Sequence, residues 1–422
     1  MKKIIFLFSI ILIAQLSVAA SIVEADDLLS YNPQQQISLM ESEVEFWQDK
    51  LVSDPGNHMY LMKLAGIHDA LFKIKGQISD LKQAEQYIRK SVTANHIARA
   101  GGYRSLAQNL ISQHRFCEAL DYAMEAEYIG GDLRKTHMVL FDISMEMGND
   151  HDASWYLNLI SNRQDFDFLI RKAKWEDKIG NLEGAIDNLE MAMALAEDSN
   201  DLNRRSWIYS NIADFYGHNG EIKKSKSFYE KALKINQADW YSVKKMAWIA
   251  WSNDMDDELA LTMLRDLKLF NESPSIDLLI SDILSYQNKT PASQKIKESI
   301  SEIVCTSEYG YMYQSFLMEQ CLAKGDFAKA KNLAEDEINR RPSVDSYVLL
   351  LKYYSAKGDL AAAKNIAYTY ILGHTYEPAI LLDVQSVLDP KSPEKQEIVD
   401  ELVDCRFELG PLHYKELVKL VS

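Results

Sequence analysis

Catalysis or metal binding requires side chains of the right type at a spacing that brings them to one point. Few stretches of this sequence offer that. His114-Arg115-Phe116-Cys117 sets an imidazole and a thiol three residues apart, a spacing that shares one helical face. A zinc site needs three or four ligands, and no second pair accompanies this one. His68-Asp69 and His151-Asp152 are adjacent in sequence, and adjacent helical residues point apart, so neither pair makes an acid–base dyad. Asp254-Met255-Asp256-Asp257-Glu258 is acidic but lacks the alternating ligands of a calcium loop. It reads instead as a helix start stabilised by negative charge. There is no HExxH, GxSxG, phosphate loop or CxxC. Asn271-Glu272-Ser273 and Asn288-Lys289-Thr290 fit the glycosylation pattern, but each is followed by proline. The expectation is a protein that is not an enzyme, with no catalytic residue, no metal and no cofactor.

The elements carrying these residues belong to a chain of 422 residues with a net charge of −16. That charge opposes binding to nucleic acid or anionic lipid, whose affinity comes from basic surfaces. Lys2-Lys3, the apolar run from Ile4 to Ala14 and the small residues Ser17-Val18-Ala19-Ala20 read as a cleaved secretory signal over residues 1–20. The run is short for a membrane span, and no cysteine follows it for lipid attachment. The expected mature protein is exported, periplasmic or secreted, with no membrane span. Its four cysteines fit disulfides poorly. A single helix from Tyr309 to Ala323 would hold Cys305 and Cys321 on the order of 20 Å apart, so buried free thiols are expected.

The remainder is helical and periodic. Glycine and proline are sparse, at 17 and 9 residues. Small residues open the second helix of successive helical pairs at Ala84, Ala119, Ala153, Ala185, Ser225 and Ala260, at intervals of 35, 34, 32, 40 and 35. The long step coincides with the polar insert Glu197-Asp198-Ser199-Asn200-Asp201. Independent helices would not keep such an interval. A hairpin of this kind exposes an apolar face that only a neighbouring hairpin can bury. Ala330 and Ala363 resume the pattern 33 residues apart. The pattern gives a signal over 1–20, a cap and first helix over 21–56 and repeats over 57–273. A degenerate repeat or bend follows over 274–305, then repeats over 306–373 and capping helices over 374–422.

The repeating unit resembles the tetratricopeptide repeat, whose pattern runs W-x₂-L-G-x₂-Y, then A-x₃-F, then P. Tyr209, Ile212-Ala213 and Tyr216 match its first helix, and Ser225, Tyr229 and Ala232 its second. Leu350-Leu351, Tyr354, Gly358, Ala363 and Ala367 match in another unit, as do Ala330, Ala334 and Pro342. About nine units fall across residues 37–373. The terminal proline stands clearly only at Pro55 and Pro342. The resemblance implies an all-α, right-handed superhelical α-solenoid. It also implies a protein-interaction scaffold holding a partner peptide or helix in the concave groove formed by the first helix of each hairpin.

In the best-preserved units, the faces of first helices not used for stacking carry Arg171 and Lys174, then Trp207, Asn211 and His218. The next unit adds Tyr241, Lys244, Lys245, Trp248 and Trp251. One reading makes this aromatic and basic cluster a groove for an acidic or carboxylate-ended peptide. The other makes the tryptophans inter-repeat packing and the lysines solvated. An alternative function is an extracytoplasmic binding component for a glycan or small ligand, using the same aromatic surface.

Overall fold

The computed structural model describes residues 33–94, 99–306 and 308–421. The expected leader, residues 1–20, and the linker up to residue 32 lie outside the described residues. Helix α1 (Gln34–Ser53) precedes nine helical hairpins. They are α2/α3 (His58–Lys75, Ile78–Ala94), α4/α5 (Arg99–Ser112, Phe116–Ile129) and α6/α7 (Leu133–Glu146, Asp150–Leu159). Then come α8/α9 (Phe166–Lys178, Leu182–Asp198), α10/α11 (Leu202–His218, Ile222–Ile235) and α12/α13 (Trp240–Ser252, Asp257–Leu267). The last three are α14/α15 (Pro274–Tyr286, Thr290–Val304), α16/α17 (Gln314–Ala323, Phe327–Arg340) and α18/α19 (Val344–Ala356, Leu360–Ile366). A π-helical turn (Ala367–Ile371) extends α19. Helices α20 (Pro378–Val387), α21 (Pro393–Asp404) and α22 (Arg406–Val421) finish the chain. The described residues form an all-α solenoid without strands.

Helix starts are set by short polar side chains. Asp201, Asp256, Asp326 and Asp359 each accept the backbone N–H three residues on, at 2.9–3.1 Å, a cap worth about 1 kcal/mol. Asp256 thus caps α13 while Asp257 and Glu258 lie in its first turn. Each hairpin turns through one left-handed residue: Gly76, His114, Gly148, Gly180, Gly220, Met255, Asn288, Gly325 and Gly358. The small residues of the register sit where helices cross. Ala84, Ala119, Ala153, Ala185 and Ala260 are fully buried and Ser225 nearly so, which lets backbones approach closely.

The weak stretch 274–305 is a regular hairpin whose crossing is polar. Ser293 Oγ lies 2.8 Å from Ser281 Oγ and 2.7 Å from Ser285 Oγ, so hydroxyls pair where alanines stand elsewhere. Two expectations need correction. Helix α16 begins at Gln314 rather than Tyr309, because residues 308–313 form turns. All four thiols are free, but only Cys321 is buried, while Cys117 and Cys305 are exposed.

The solenoid coils once in about 195 residues, bringing each turn of the first coil onto a linker of the second. Asn271 Nδ2 donates to Ile74 O at 2.7 Å, and Glu272 N to Lys75 O at 2.7 Å. Gln77 Nε2 donates to Glu272 Oε1 at 2.9 Å. Further along, Arg341 Nη1 reaches Glu146 O at 3.4 Å and Cys117 Sγ lies 3.1 Å from Arg340 O. Gly180 lies directly under the Tyr376 ring. At roughly 34 residues per hairpin this is about six hairpins per coil.

Candidate functional site

First helices of the hairpins line the concave surface, and that surface differs between the two halves of the first coil. Across α2, α4, α6 and α8 it is open. A groove of about 500 Å³ runs over Met62, Gly101, Ser105, Met138 and Arg171. A second apolar hollow, of about 540 Å³, continues it past Met40 and Met59 and shares His58 and Met62. Met59 is 70% exposed. Unbranched thioether side chains repack to suit different partners. Arg104 donates to Thr136 Oγ1 at 3.2 Å, and neither it nor the exposed Lys63 has a carboxylate within ion-pair distance among the described residues. Arg171 is held by Asp142 at 2.6 Å and by Met138 O at 3.2 Å. Lys135 pairs with Asp132 at 2.8 Å.

Across α10, α12 and α14 the same surface is covered by the chain's own C-terminal helix α22. Trp248 Nε1 donates to Phe407 O at 3.1 Å. Gly410 has φ 65°, and a Cβ there would lie 2.6 Å from Trp248 Cη2. Only glycine therefore lets α22 bend onto the indole. Phe407 rests on Gly217, where a Cβ would lie 2.9 Å from its ring. Glu408 Oε1 is 3.8 Å from His218 Nδ1.

Beneath this cover a chamber of about 420 Å³ remains, walled by Trp248, Leu278, Leu279 and Phe407. Asp214 fixes one side. It accepts from Tyr229 Oη and Tyr241 Oη, each at 2.6 Å, and from Lys245 Nζ at 2.8 Å. Burial and this carboxylate push both phenols far above their ordinary range. Lys244, one residue away, receives no such partner. Burial, with Lys245 beside it, lowers its ammonium to about 8. Its nearest described neighbour of note is the Trp240 ring, 6.0 Å from Nζ. The Ser225 hydroxyl, 1% exposed, lines the same chamber beside the Tyr229 phenol. Tyr229 Oη donates to Asp214. At the opposite end, burial raises the Glu377 and Glu408 carboxyls above their usual range.

The residues singled out from the sequence are thus distributed over three places. His218, Lys244, Lys245 and Trp248 line the covered chamber, with Tyr241 braced on Asp214 behind it. Arg171 lies in the open groove. Lys174 is exposed and pairs with Glu146 at 2.9 Å. Trp207 is 43% exposed and packs edge-on against Phe166 at 5.9 Å. The Asn211 amide is turned onto its own helix, donating to Trp207 O at 2.8 Å. Trp251 is a correction: at 1% exposure, wedged between Trp248 and Tyr286, it presents nothing to a partner. Helix period explains this, because three residues leave Trp251 rotated about 60° from Trp248, toward α14, where it packs on Tyr286. Met40, Met59, Met62 and Arg104 were missed. Their signal was the set of methionines at 40, 59 and 62 on α1 and α2.

Residues 208–239 match the tetratricopeptide repeat family model. The chain carries a tetratricopeptide repeat. That repeat spans most of α10, all of α11 and the Asp239 cap of α12, so it supplies Asp214, Ser225 and Tyr229 to the chamber. No curated protein matches the sequence. Among solved structures, the chain is similar to YrrB, described as a tetratricopeptide-repeat protein with an unusual peptide-binding site. Identity is 13%, covering 48% of this chain and 98% of that one, with a TM-score of 0.27. It is also similar to a Rap protein complexed with competence and sporulation factor, at 16% identity, covering 76% and 97%, with a TM-score of 0.43. A third is the signal-transduction ATPase PH0952 from Pyrococcus horikoshii, with a tetratricopeptide repeat sensor. It is 16% identical, covering 76% and 55%, with a TM-score of 0.43.

Proposed function

We propose that the protein is an exported, non-enzymatic interaction scaffold that holds a segment of a partner protein against the concave face of its first four hairpins. The observation that carries this reading is the contrast in that surface. It is open across α2, α4, α6 and α8 and covered by α22 farther along. The open groove combines thioether side chains, which adapt to apolar partners, with Lys63 and Arg104, neither of which has a carboxylate within ion-pair distance among the described residues. A segment pairing apolar side chains with one or two carboxylates fits both. Export rests on Lys2-Lys3, the apolar run and the small residues before position 20.

The test is selection of displayed peptides on the mature chain. Enrichment of apolar, acidic peptides, lost on Met62→Asp and on Arg104→Glu, supports the reading. Peptides that bind those two variants unchanged sink it. Mass spectrometry of the protein from the producing cell's envelope or medium tests export, since an N-terminus near position 21 is expected and retention of Met1 contradicts it.

A further inference from the structure

The covered chamber is a second place with unanswered chemistry, separate from the open groove. Its two ends have opposite unmet needs. Asp214 is saturated by Tyr229, Tyr241 and Lys245, which leaves Lys244 a half-buried ammonium without an anion among the described residues. Burial holds its proton less tightly than usual, at about 8, as expected for a cation facing a cavity that water fills poorly. The Ser225 hydroxyl on the same lining is buried beside the Tyr229 phenol. Elsewhere on the lining stand two carboxylates, Glu377 and Glu408; the His218 imidazole lies 3.8 Å from Glu408, and Glu377 feels the charge of His218 and, more weakly, of Lys245. Between the two ends stand the Trp248 indole, the Phe407 ring and the Leu278 and Leu279 side chains.

Lys244 and the two carboxylates line one cavity, and no ion pair joins them among the described residues. An occupant carrying both signs answers all of them at once. We infer that the chamber binds a small amphoteric molecule, its carboxylate at Lys244 and Ser225, its ammonium at Glu408 and Glu377, and its apolar body against Trp248 and Phe407. The size follows from the volume, about 420 Å³, which falls in the range of small-molecule sites; at His218, Glu377, Phe407 and Glu408 the chamber adjoins a larger hollow of about 950 Å³. Dipeptides, whose terminal ammonium and carboxylate are separated by a peptide unit, meet these terms.

The test uses the full mature chain, with L-leucyl-L-phenylalanine, L-phenylalanyl-L-leucine and L-alanyl-L-alanine as probes, read by thermal shift and titration calorimetry. At least one probe is expected to raise the melting temperature and to bind saturably. Leucyl-phenylalanine amide and N-acetyl-leucyl-phenylalanine, each lacking one charge, are expected to bind about tenfold more weakly or worse, about 1.4 kcal/mol. Lys244→Met and Glu408→Gln should each reproduce the loss of the matching charge on the unmodified probe. No shift from any probe overturns the inference, as does equal binding of the blocked and free dipeptides. If Lys244→Met does not fold, the blocked dipeptides on the unaltered chain decide the matter. Peptide selection in the open groove is independent of all these outcomes.

Discussion

The concave faces of α2–α8 and of α10–α14 are built from the same hairpin, yet one is open and the other is covered by α22. The repeat pattern prescribes how hairpins stack. It does not prescribe what the concave side meets, because the residues there take no part in stacking. In the first half those positions carry methionines, glycines and lysine or arginine, and nothing among the described residues lies across them. In the second they carry Trp248, Gly217 and His218, each of which meets a residue of 407–410. Aromatic residues on the concave side of this chain therefore mark an internal contact, and methionines mark the free surface.

The largest expected effect lies on the covered side. Gly410→Ala places a Cβ 2.6 Å from Trp248 Cη2 at a φ of 65°, and about 2–4 kcal/mol of stability should be lost in urea unfolding. A loss below about 0.5 kcal/mol would mean that α22 is not seated on Trp248. Next comes Arg104→Glu on the open side, which should weaken capture of an acidic, apolar peptide about tenfold or more while leaving the unfolding midpoint nearly unchanged. A drop in stability equal to the loss of binding would make Arg104 structural.

Titration separates the two faces further. Lys244 has a folded value of about 8 against 10.5 for the free side chain. Between these values the unfolded chain holds the extra proton, so this group makes stability rise with pH. Above about pH 10, unfolded tyrosines ionise before Tyr229 and Tyr241 and stability turns down. The rise from pH 8 to 10 should be larger in the unaltered chain than in Lys244→Met, by about 1–3 kcal/mol. Identical profiles would show that Lys244 is solvated. Smaller still is Gly66→Ala in the middle of α2. A Cβ there meets no atom within 4 Å, so a gain of about 0.5–1 kcal/mol is expected from helix propensity. A loss would show that something already occupies the open groove.

Much of the fold was legible in the order of the residues. The register of Ala84, Ala119, Ala153, Ala185, Ser225 and Ala260 located every crossing it named, because a small residue at a fixed interval has a local cause. Hairpin turns were equally local. The candidate site was less legible because its cause is not local. Phe407 reaches Gly217 and Glu408 reaches His218 only because the solenoid coils with a period near 195 residues, and no repeat of 34 residues contains that number. Trp248 and Trp251 look alike in sequence, while one hydrogen-bonds to α22 and the other is sealed in the core. The buried pair His68 Nδ1–Asp80 Oδ1, at 2.8 Å, was missed for a related reason. Its partners lie on two helices of one hairpin, and only Asp69 is adjacent to His68 in sequence.

The contacts of Asn271, Glu272 and Gln77 with the α2/α3 turn, and of Arg341 with α6, bear on mechanics. An open solenoid is a soft spring, since each hairpin touches only its neighbours and small rotations add along the array. Hydrogen bonds that tie one coil to the next fix the pitch and shunt tension past the hairpins between them. Stretched by its ends, this molecule should first resist stiffly and then give way in one early step as the coils part. It would lengthen afterwards at low force, before any hairpin unravels. Asn271→Ala, which removes the bond to Ile74 O, should abolish or lower that first step.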